Sequence, residues 1–540
     1  MKTMKHTFLY TIALLMIAAV ACSTKQEGST QKEAAPVFIS SNPADGAADV
    51  DFSGGVDVVF TYDQNINCLT SDQKFISVSG DATIGKINAY KTQLSITLGG
   101  VEGKHTYTVT VPDGAVRGFK ENQETAKGVT VTFTTKETIL PPPVYDTIPE
   151  PEDNDVWERL STLALGWNMG NHFDAFINYR GAGDRFLWPD ETCWGNAKCT
   201  AETFRKVKAA GFKSVRIPIT WLKTIGESPD YTIDKDWMGR IVEVVGWARA
   251  AGLNVIINTH HDEDHYYGNE GMGHRWLNII DATANEITNN KIKQQIKGFW
   301  TNVANTFKNE GDYLIFESFN EINDGKWGGS PNTDKQAAVL NEWNQVFVDV
   351  VRATGGKNAT RWLGVPTYAA NPGMIKYFTM PSDPAGRMML SVHCYDPYNY
   401  TLAEGLPQKH WGHTMGNPQD EKLVRDVFSS LYVNYIKKGI PVYMGEFGCS
   451  AREYNPSGKE WKNYLYYLEY FVKCSKSYGI PCFLWDNGNE GAGSEHHAYL
   501  DHGTGEFIGH AEEAVKVMKK AMYTTDKNYT LQSVYENAPR

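Results

Sequence analysis

The chain contains two regions that differ in their pattern of hydrophobic and polar positions. Between residues 36 and 136, short runs alternate apolar and polar residues, and turn sequences such as Pro112-Asp113-Gly114 separate them. Short strands at this spacing are typical of a small antiparallel sandwich. The strands that the pattern predicts are Val56–Tyr62, Phe75–Val78, Gln93–Leu98, His105–Val111 and Val129–Thr134.

The second pattern begins after Val156, where apolar runs alternate with segments of helical periodicity. Eight alternations of strand and helix predict a parallel sheet with crossover helices, and a segment of this length suits a (β/α)8 barrel. One helical pattern places apolar residues on a single face, namely Trp237, Ile241, Val244, Val245 and Ala248. The predicted strands are Leu163–Gly170, Ser214–Ile219, Asn254–His260, Tyr313–Asn320, Arg361–Thr367, Met388–Tyr395, Pro441–Phe447 and Pro481–Trp485.

A doubly wound open sheet is the alternative architecture for this segment. It requires a glycine-rich phosphate-binding loop after the first strand. The sequence at that place is GWNMGN, which lacks the G-x-G-x-x-G spacing. We therefore favour an α/β fold, a (β/α)8 TIM barrel preceded by a small all-β sandwich.

The first 22 residues have the order of a secretory signal. Lys2 and Lys5 precede the apolar run Leu9–Val20, and small residues lead to Cys22. The run is short for a membrane-spanning helix. The order resembles a bacterial lipobox, which implies cleavage before Cys22 and lipid attachment to it, with simple secretion as the alternative. We expect export across the inner membrane and a lipid anchor at the outer membrane or cell surface.

Two polar segments complete the predicted organisation. Residues 23–35 are small and polar, as in a flexible tether, and residues 137–155 contain a proline triplet and acidic residues typical of an extended linker. The predicted domains are therefore a signal peptide at 1–22, a tether at 23–35, a sandwich at 36–136, a linker at 137–155 and a barrel at 156–540.

Composition and charge narrow the classes of function. Of 540 residues, 41% are hydrophobic and 21% charged, so a disordered chain and a polytopic membrane protein fit poorly. Lys and Arg number 52 against 63 Asp and Glu, a net charge of −11 that lacks the basic excess by which proteins bind phosphate backbones. We expect no nucleic-acid partner.

The cysteines predict no disulfide framework. Removing Cys22 from the eight cysteines leaves an odd and scattered set of seven. Cys193 and Cys199 lie close enough in sequence to pair locally, and this alternative stays open. The Cys and His spacings match no structural zinc site.

The residues at the predicted strand ends carry the chemistry, because barrel active sites lie at the carboxyl ends of the strands. Glu321 follows the fourth strand and Glu446 lies at the end of the seventh, so two carboxylates are expected in one cleft. Paired carboxylates cleave glycosidic bonds, although structural ion pairing with Arg216 and the histidines is the alternative interpretation. The other candidates are Asn171, Arg216, Trp221, His260, His261, Asn320, His393, Tyr395 and Trp485.

This motif set resembles glycoside hydrolase family 5 over about residues 160–490. FESFNE corresponds to the acid/base motif with Asn320 and Glu321, and YMGEFG to the nucleophile motif with Glu446. SVRIPITW, NTHH, SVHCY and LWDNG supply the remaining family positions, Arg216, His260, His393, Tyr395 and Trp485.

Two finer resemblances extend this assignment. GWNMGN and VHCYDPYNYT are similar to subfamily 4, known for endo-β-1,4-glucanases, xyloglucanases and mixed-linkage glucanases. His172 departs from that subfamily, which usually has Thr there, and the change bears on the subsites of the bound sugar. Residues 36–136 resemble bacterial immunoglobulin-like domains that accompany polysaccharide-degrading modules, and we interpret this domain as a spacer.

The resemblance implies roles for the site residues. Glu446 is the ionised nucleophile, favoured by Arg216 and held by Tyr395, whereas Glu321 is the protonated acid/base whose pKa the second carboxylate raises. Asn320 binds the sugar 2-hydroxyl, and Trp485 offers a ring to the sugar face. His260 and His393 position hydroxyls or the acid.

No cofactor and no metal are expected at this site. The run from His260 to His265 contains several potential ligands, but it lacks the H-E-x-x-H spacing. The family also needs no metal. We interpret this run as a solvated loop at the edge of the cleft.

Long loops after the strands hold many aromatic residues, which indicates an extended cleft for several sugar rings and an endo-acting enzyme. Each single ring could instead pack beneath its own loop. The residues are Trp188, Trp194, Tyr266, Tyr267, Trp276, Trp327, Tyr398, Tyr400 and Trp411.

Together these features predict a retaining endo-β-1,4-glucanase that acts on xyloglucan, cellulose-type glucan or mixed-linkage β-glucan of plants. We expect a monomer that meets the membrane only through its lipid anchor. The alternatives are an endo-β-mannanase on the same scaffold and a non-catalytic surface lipoprotein that binds glycan.

Overall fold

A computed structural model of the chain describes residues 34–136 apart from 53–54, 81, 102 and 120–123, and residues 155–540 apart from 181–184 and 265–274. The predicted signal peptide with Cys22 lies outside the described residues, as do nearly all of the predicted tether and linker. Tyr266 and Tyr267 lie outside them too. In the described part, no helix is long and apolar enough to cross a bilayer.

The amino-terminal domain is an all-β sandwich, as predicted. One sheet orders its strands Phe38–Asn42, Val56–Tyr62, Gln93–Gly99, Thr83–Tyr90, and the other Ala47–Val50, Val129–Thr135, Thr106–Val111, Ser77–Val78. Alternate residues such as Val58, Phe60 and Tyr62 face the core between the sheets. A short helix, Thr70–Gln73, and a two-stranded pair, Ile66–Asn67 with Arg117–Gly118, complete the domain.

One predicted strand of the sandwich is shorter than expected, and the predictions omitted Phe38–Asn42, Ala47–Val50, Thr83–Tyr90 and the short pair Ile66–Asn67 with Arg117–Gly118. Only Ser77–Val78 of the predicted strand Phe75–Val78 is extended in the sheet. The strand Thr83–Tyr90 was missed because a register shift between Ile84 and Lys86 interrupts the alternation at the sheet edge.

Aromatic residues are exposed on the sandwich, namely Phe75, Tyr90 and Phe119. The sequence pattern alone did not reveal this, since each stands apart from the others along the chain. The interpretation of the domain as a spacer stays a prediction.

The second domain is a closed barrel of eight parallel strands, which confirms the predicted (β/α)8 fold and excludes the open sheet. The first strand pairs with the eighth, with Asn168 opposite Trp485. In barrel order the strands are Gly166–Met169, Ser214–Ile217, Asn254–Ile257, Leu314–Glu317, Leu363–Pro366, Met388–Cys394, Val442–Phe447 and Cys482–Asp486. We refer to them as the first to eighth barrel strands.

Helices surround the barrel, and local sequence explains their ends. Lys235–Ala250 begins where the Asp234 side chain accepts hydrogen bonds from two backbone amides, and it buries the predicted apolar face. Ala201–Ala210 ends at Gly211, whose φ of 111° suits a residue without a side chain. The other helices are Asp155–Leu163, Ile279–Ala284, Glu286–Thr306, Thr333–Ala353, Tyr398–Thr401, Asp420–Asn434, Lys459–Tyr478, Ala511–Tyr523 and Leu531–Glu536.

Shorter elements decorate the loops of the barrel. Two small sheets pair Phe176–Arg180 with Arg185–Pro189 and Glu263–Asp264 with Leu277–Asn278. The 3-10 turns are Leu222–Thr224, Gly356–Ala359, Tyr368–Ala370, Pro372–Tyr377, His413–Met415 and Ile436–Lys438. All seven described cysteines carry free thiols, so Cys193 and Cys199 do not pair.

Candidate active site

A cleft of about 710 Å³ opens at the carboxyl ends of the barrel strands. It collects all of the predicted active-site residues except Arg216 and Trp221. Those that line it are Asn171, His260, His261, Asn320, Glu321, His393, Tyr395, Glu446 and Trp485.

Glu446 lies at the bottom of the cleft, near the end of the seventh barrel strand. Its Oε1 accepts a hydrogen bond from Arg216 Nη1 at 2.7 Å, and its Oε2 accepts one from the Tyr395 hydroxyl at 3.0 Å. Burial and the charge of Glu446 raise the pKa of Tyr395 well above its usual value, so the phenol keeps its proton and remains a donor. Two donors therefore hold the carboxylate in one orientation.

Arg216 lies beneath the cleft and is fully buried. Its Nε donates to Glu317, its Nη1 to Asn168 and Glu446, and its Nη2 to Glu317 and Asn320. Every N–H of the guanidinium thus has an acceptor. The protein itself occupies all the donors of Arg216, which does not line the cleft, so this candidate is not placed to bind substrate and instead positions Glu446, as the resemblance implied.

Glu317 is a third carboxylate that sequence reasoning missed. It ends the fourth barrel strand, is fully buried, and bonds Arg216 Nη2 at 2.6 Å. Asn258, Ser391 and Tyr443 also donate to it. Burial raises the pKa of Glu317, but Arg216 outweighs burial and holds that pKa below its usual value, so the pair is ionic. FESFNE contained the signal, since Glu317 ends an otherwise apolar run.

Glu321 faces Glu446 across the cleft and has both oxygens occupied. His393 Nδ1 lies 2.6 Å from its Oε1, and Trp327 Nε1 donates to its Oε2 at 2.5 Å. Trp327 is half exposed at the edge of the cleft, whereas His393 is buried. A carboxyl oxygen has two lone pairs, so protonated Glu321 can donate to a substrate oxygen while both partners stay in place.

The pKa values of the two carboxyl groups shift in opposite directions in the substrate-free site. Burial raises the pKa of Glu321, but the hydrogen bonds from His393 and Trp327 outweigh it and hold that pKa below its usual range. For Glu446, burial outweighs His393 and Arg216, and its pKa is raised. The physical reason is distance, since His393 Nδ1 is 2.6 Å from Glu321 but 3.7 Å from Glu446.

The spacing of the two carboxylates favours one stereochemical outcome. One oxygen of Glu321, one of Glu446 and a ring nitrogen of His393 lie within 4.8 Å of one another. Carboxyl groups about 5–5.5 Å apart are typical of retaining glycosidases, whereas inverting enzymes need about 6.5–9.5 Å to admit a water. The geometry therefore suits direct attack by one carboxylate.

The orientation of Asn320 follows from Arg216. The amide oxygen of Asn320 accepts from Arg216 Nη2 at 2.9 Å. This bond directs the amide oxygen of Asn320 toward Arg216, beneath the cleft. The NH2 group of Asn320 is then the donor for a ligand in the cleft. The expected contact to a sugar 2-hydroxyl is chemically consistent with this orientation.

One wall of the cleft is aromatic. The Trp485 ring stacks on His260, with centroids 5.8 Å apart and planes 8° apart. A Cβ at Gly170 would lie 2.6 Å from the Trp485 ring, so the indole fits only above a glycine. Burial lowers the pKa of His260 well below its usual value, so this ring is neutral.

His261 lies nearer the solvent, beside two acidic residues. Its Nε2 is 3.7 Å from Asp174 and its Nδ1 is 3.6 Å from Glu263. Burial lowers the pKa of His261, but Glu263 and Asp174 outweigh burial and raise it. The sequence did not indicate Asp174, which is buried beneath the cleft.

Two residues that the sequence analysis singled out are buried outside the cleft. Trp221 is fully buried, donates through Nε1 to the Asn258 carbonyl and packs edge-on against Phe299, so it belongs to the core and contacts no substrate. His172 is also fully buried, and its Nε2 lies 3.3 Å from Glu191 Oε2. Burial lowers the pKa of His172 to about 4. It does not line the cleft.

The aromatic loop residues divide into two groups. Trp327 and Tyr398 line the cleft, and Trp194 is exposed beside His261. Tyr400 and Trp411 are fully buried, so for these two rings the alternative of packing beneath their own loops holds.

Three clusters within the described residues could hold a metal ion. Glu321, His393 and Glu446 are the candidate catalytic set itself, and the other clusters are Asp174 with His260 and His261, and His172 with Glu191 and Cys199. In the last cluster Arg240 already occupies Glu191 and Cys199, which disfavours a cation there. The expectation of no metal stays a prediction.

Comparison with known families supports these features. The family model described as Cellulase (glycosyl hydrolase family 5) matches residues 180–491. A second model, described as Bacterial Ig-like domain, matches residues 32–135.

Individual relatives show the same resemblance. Endoglucanase A of Paenibacillus barcinonensis is 36% identical over 351 residues, covering 61% of this chain and 82% of the relative. The xyloglucan-specific endo-beta-1,4-glucanase of Bacteroides ovatus is 32% identical over 420 residues, covering 72% and 77%.

Solved structures are also similar. A Bacteroidetes-affiliated GH5 cellulase linked with a polysaccharide utilization locus has a TM-score of 0.67 and 41% identity, covering 72% of this chain and 98% of its own. A GH5-4 broad specificity endoglucanase from Bacteroides salanitronis has a TM-score of 0.62 and 44% identity, covering 70% and 99%.

Proposed function

Because the chain belongs to the cellulase family, glycosyl hydrolase family 5, we propose that Glu446 is its nucleophile and Glu321 its acid/base. The protein is a retaining endo-β-1,4-glucanase. The observation that carries the residue assignment is the approach of the two carboxylates within 4.8 Å, with Arg216 and Tyr395 donating to Glu446.

In the first step, Glu446 attacks the anomeric carbon while Glu321 gives its proton to the departing glycosidic oxygen. The C–O bond to the leaving sugar breaks, and an ester bond forms between the sugar and Glu446. Asn320 donates to the 2-hydroxyl, a contact that strengthens in the transition state.

In the second step, Glu321 takes a proton from water, and the water oxygen attacks the anomeric carbon and releases Glu446. While Glu446 is an ester it carries no charge, so Arg216 would lose one of its two anionic partners. Glu317 remains bonded to Arg216 throughout and prevents an unpaired buried cation.

We assign the substrate as the β-1,4-linked backbone of a neutral plant glucan. The aromatic wall at Trp485 and the cleft-lining rings Trp327 and Tyr398 suit the apolar faces of several sugar residues. Relatives include a xyloglucan-specific enzyme and a broad specificity endoglucanase, so xyloglucan and linear or mixed-linkage glucans are the candidates.

Reducing-end release by the protein without residues 1–22 tests this function on xyloglucan, carboxymethylcellulose, barley β-glucan and mannan. We expect cleavage of internal bonds in at least one β-1,4-glucan and loss of activity in Glu446→Gln. The variant Glu342→Gln, an exposed partner of Lys293, should remain fully active. Cleavage of mannan alone would contradict the glucan assignment, and binding without cleavage would contradict catalysis.

We further propose that the protein is a surface lipoprotein anchored through Cys22. The proposal rests on the order of basic, apolar and small residues in positions 1–22. Fractionation of cells that express the full chain should find it with membranes, whereas Cys22→Ala should release it. A wild-type chain found only in the soluble fraction would contradict the anchor.

A further inference from the structure

Glu495 is a carboxylate that lines the cleft outside the family's motif positions. It lies in the loop after the eighth barrel strand and is exposed to the cleft. Burial raises the pKa of Glu495, and the negative charges of Glu446 and Glu321 raise it further. The Glu495 carboxylate therefore interacts electrostatically with both catalytic carboxyl groups. It takes no part in the two chemical steps.

The backbone at Glu495 is held in a strained conformation. Its φ is 61°, in the left-handed region that is unfavourable for a residue with a side chain. The side-chain amides of Asn487 and Asn489 both donate to the Glu495 carbonyl, at 2.9 and 3.0 Å. Strain that the surroundings maintain in this way clusters at functional sites.

Neighbouring contacts tie this loop to two others. Ser494 donates to the Leu402 carbonyl at 2.7 Å, and Ala451 donates its backbone N–H to the His496 carbonyl at 2.7 Å. Leu402 and Ala451 belong to the loops after the sixth and seventh barrel strands. Glu495 therefore has a defined position relative to both sides of the cleft.

Carboxyl groups supply most of the charge that lines the cleft. Four carboxyl side chains border it, those of Glu321, Asp396, Glu446 and Glu495, and no lysine or arginine is among its described lining residues. Arg216 below has all its donors occupied within the protein. An anionic sugar would thus meet negative charge without a lysine or arginine of the described lining to compensate it.

We propose that Glu495 is a specificity residue, which accepts hydrogen bonds from hydroxyl groups of a neutral glucan and repels polysaccharides that carry carboxylate groups. This inference rests on the proposed function and names the substrate class of the same site. An ionised carboxylate is a strong acceptor for sugar hydroxyls. Repulsion of the wrong ligand contributes to specificity as much as attraction of the right one.

Hydrolysis of hydroxyethylcellulose, a neutral polymer, and carboxymethylcellulose, an anionic one, tests the proposal at pH 7. Glu495→Gln removes the charge and keeps the shape, so we expect the ratio of kcat/KM on the anionic to the neutral polymer to rise about three- to tenfold. Glu495→Ala removes the acceptor, and its kcat/KM on the neutral polymer should fall about tenfold or more.

Glu490→Gln is the matched control. Glu490 is an exposed glutamate on the same loop and does not line the cleft, so this variant should leave both activities unchanged. An equal change in Glu490→Gln and Glu495→Gln would contradict a local role. Wild-type ratios in both Glu495 variants would overturn the proposal even though the enzyme is active.

Binding of cellohexaose to the Glu446→Gln variant, measured by calorimetry, separates this inference from the proposed function. We expect Glu495→Ala in that background to weaken binding about tenfold. Unchanged binding would overturn the inference alone. A wild-type protein that neither hydrolyses nor binds glucan would overturn the function and this inference with it.

Discussion

At the floor of the cleft, Arg216 has an acceptor for every N–H, and Glu317 receives donors from four side chains. At the rim, formed by Trp327, Asp396, Tyr398 and Glu495, side chains face the cleft and are partly or fully exposed. The floor comprises Asn168, Arg216, Glu317, Tyr443 and Glu446.

The floor residues support the chemical reaction, whereas the rim residues recognise the substrate. Buried charged groups on the floor have a single satisfied arrangement, so the nucleophile is oriented before substrate arrives. Rim side chains present polar groups and apolar area to the cleft, against which a sugar chain can pack. We therefore expect floor substitutions to lower kcat and stability, and rim substitutions to change KM, substrate preference and pH dependence.

Glu317→Gln, a substitution on the floor, should have the largest effect. It leaves Arg216 with half its counter-charge in a buried site, so we expect kcat to fall about 100-fold or more and the free energy of unfolding to fall by about 3–5 kcal/mol. Steady-state kinetics and urea denaturation measure both. Wild-type values of both would show that Glu446 needs no second charge on the floor.

Tyr395→Phe should have the next largest effect. It removes one of the two donors to Glu446, and the loss of one preorganised donor lowers kcat by about 10- to 100-fold. KM should change little. Tyr377→Phe, whose side chain lies outside the cleft, is the control, and an equal loss in both variants would point to general destabilisation.

Trp327→Phe should mainly change the pH dependence of kcat/KM. The Trp327 hydrogen bond lowers the pKa of Glu321, so its removal raises that pKa. Glu321 must be protonated to act as the acid, so the alkaline limb of the kcat/KM profile should move to higher pH. A limb that moves to lower pH would contradict the assignment of Glu321 as the acid.

Tyr398→Ala should have the smallest effect. Tyr398 is exposed at the rim, and removal of such a contact raises KM about two- to fivefold for a long glucan. Kinetics on a short cello-oligosaccharide should stay close to wild type. A fall in kcat on both substrates would place Tyr398 with the floor residues in function.

Sequence reasoning identified the barrel and its carboxylate pair because these leave periodic and local signals. The eight apolar runs correspond to the eight barrel strands, and Glu321 and Glu446 stand at strand ends, where a parallel barrel brings side chains together. The sandwich strand Thr83–Tyr90 was missed because its register shift disrupts the two-residue period.

Other features depend on contacts between residues far apart in the sequence. Trp221 also follows a strand end, but packing against Phe299 buries it, and no local pattern indicates this. The opposite shifts of the Glu321 and Glu446 pKa values depend on which carboxylate lies nearer His393. The position of Glu495 in the cleft depends on how its loop folds, and the glycines and asparagines of that loop are typical of any turn.

The most direct test of the assignment of Glu446 is to trap the glycosyl-enzyme. Incubation with a 2-deoxy-2-fluoro cello-oligosaccharide bearing a good leaving group slows release of the sugar from the nucleophile, and peptide mass spectrometry then locates the adduct. We predict a single adduct, on Glu446, that is lost in Glu446→Gln. An adduct on Glu321 or Glu317, or turnover with inversion and no adduct, would contradict the assignment.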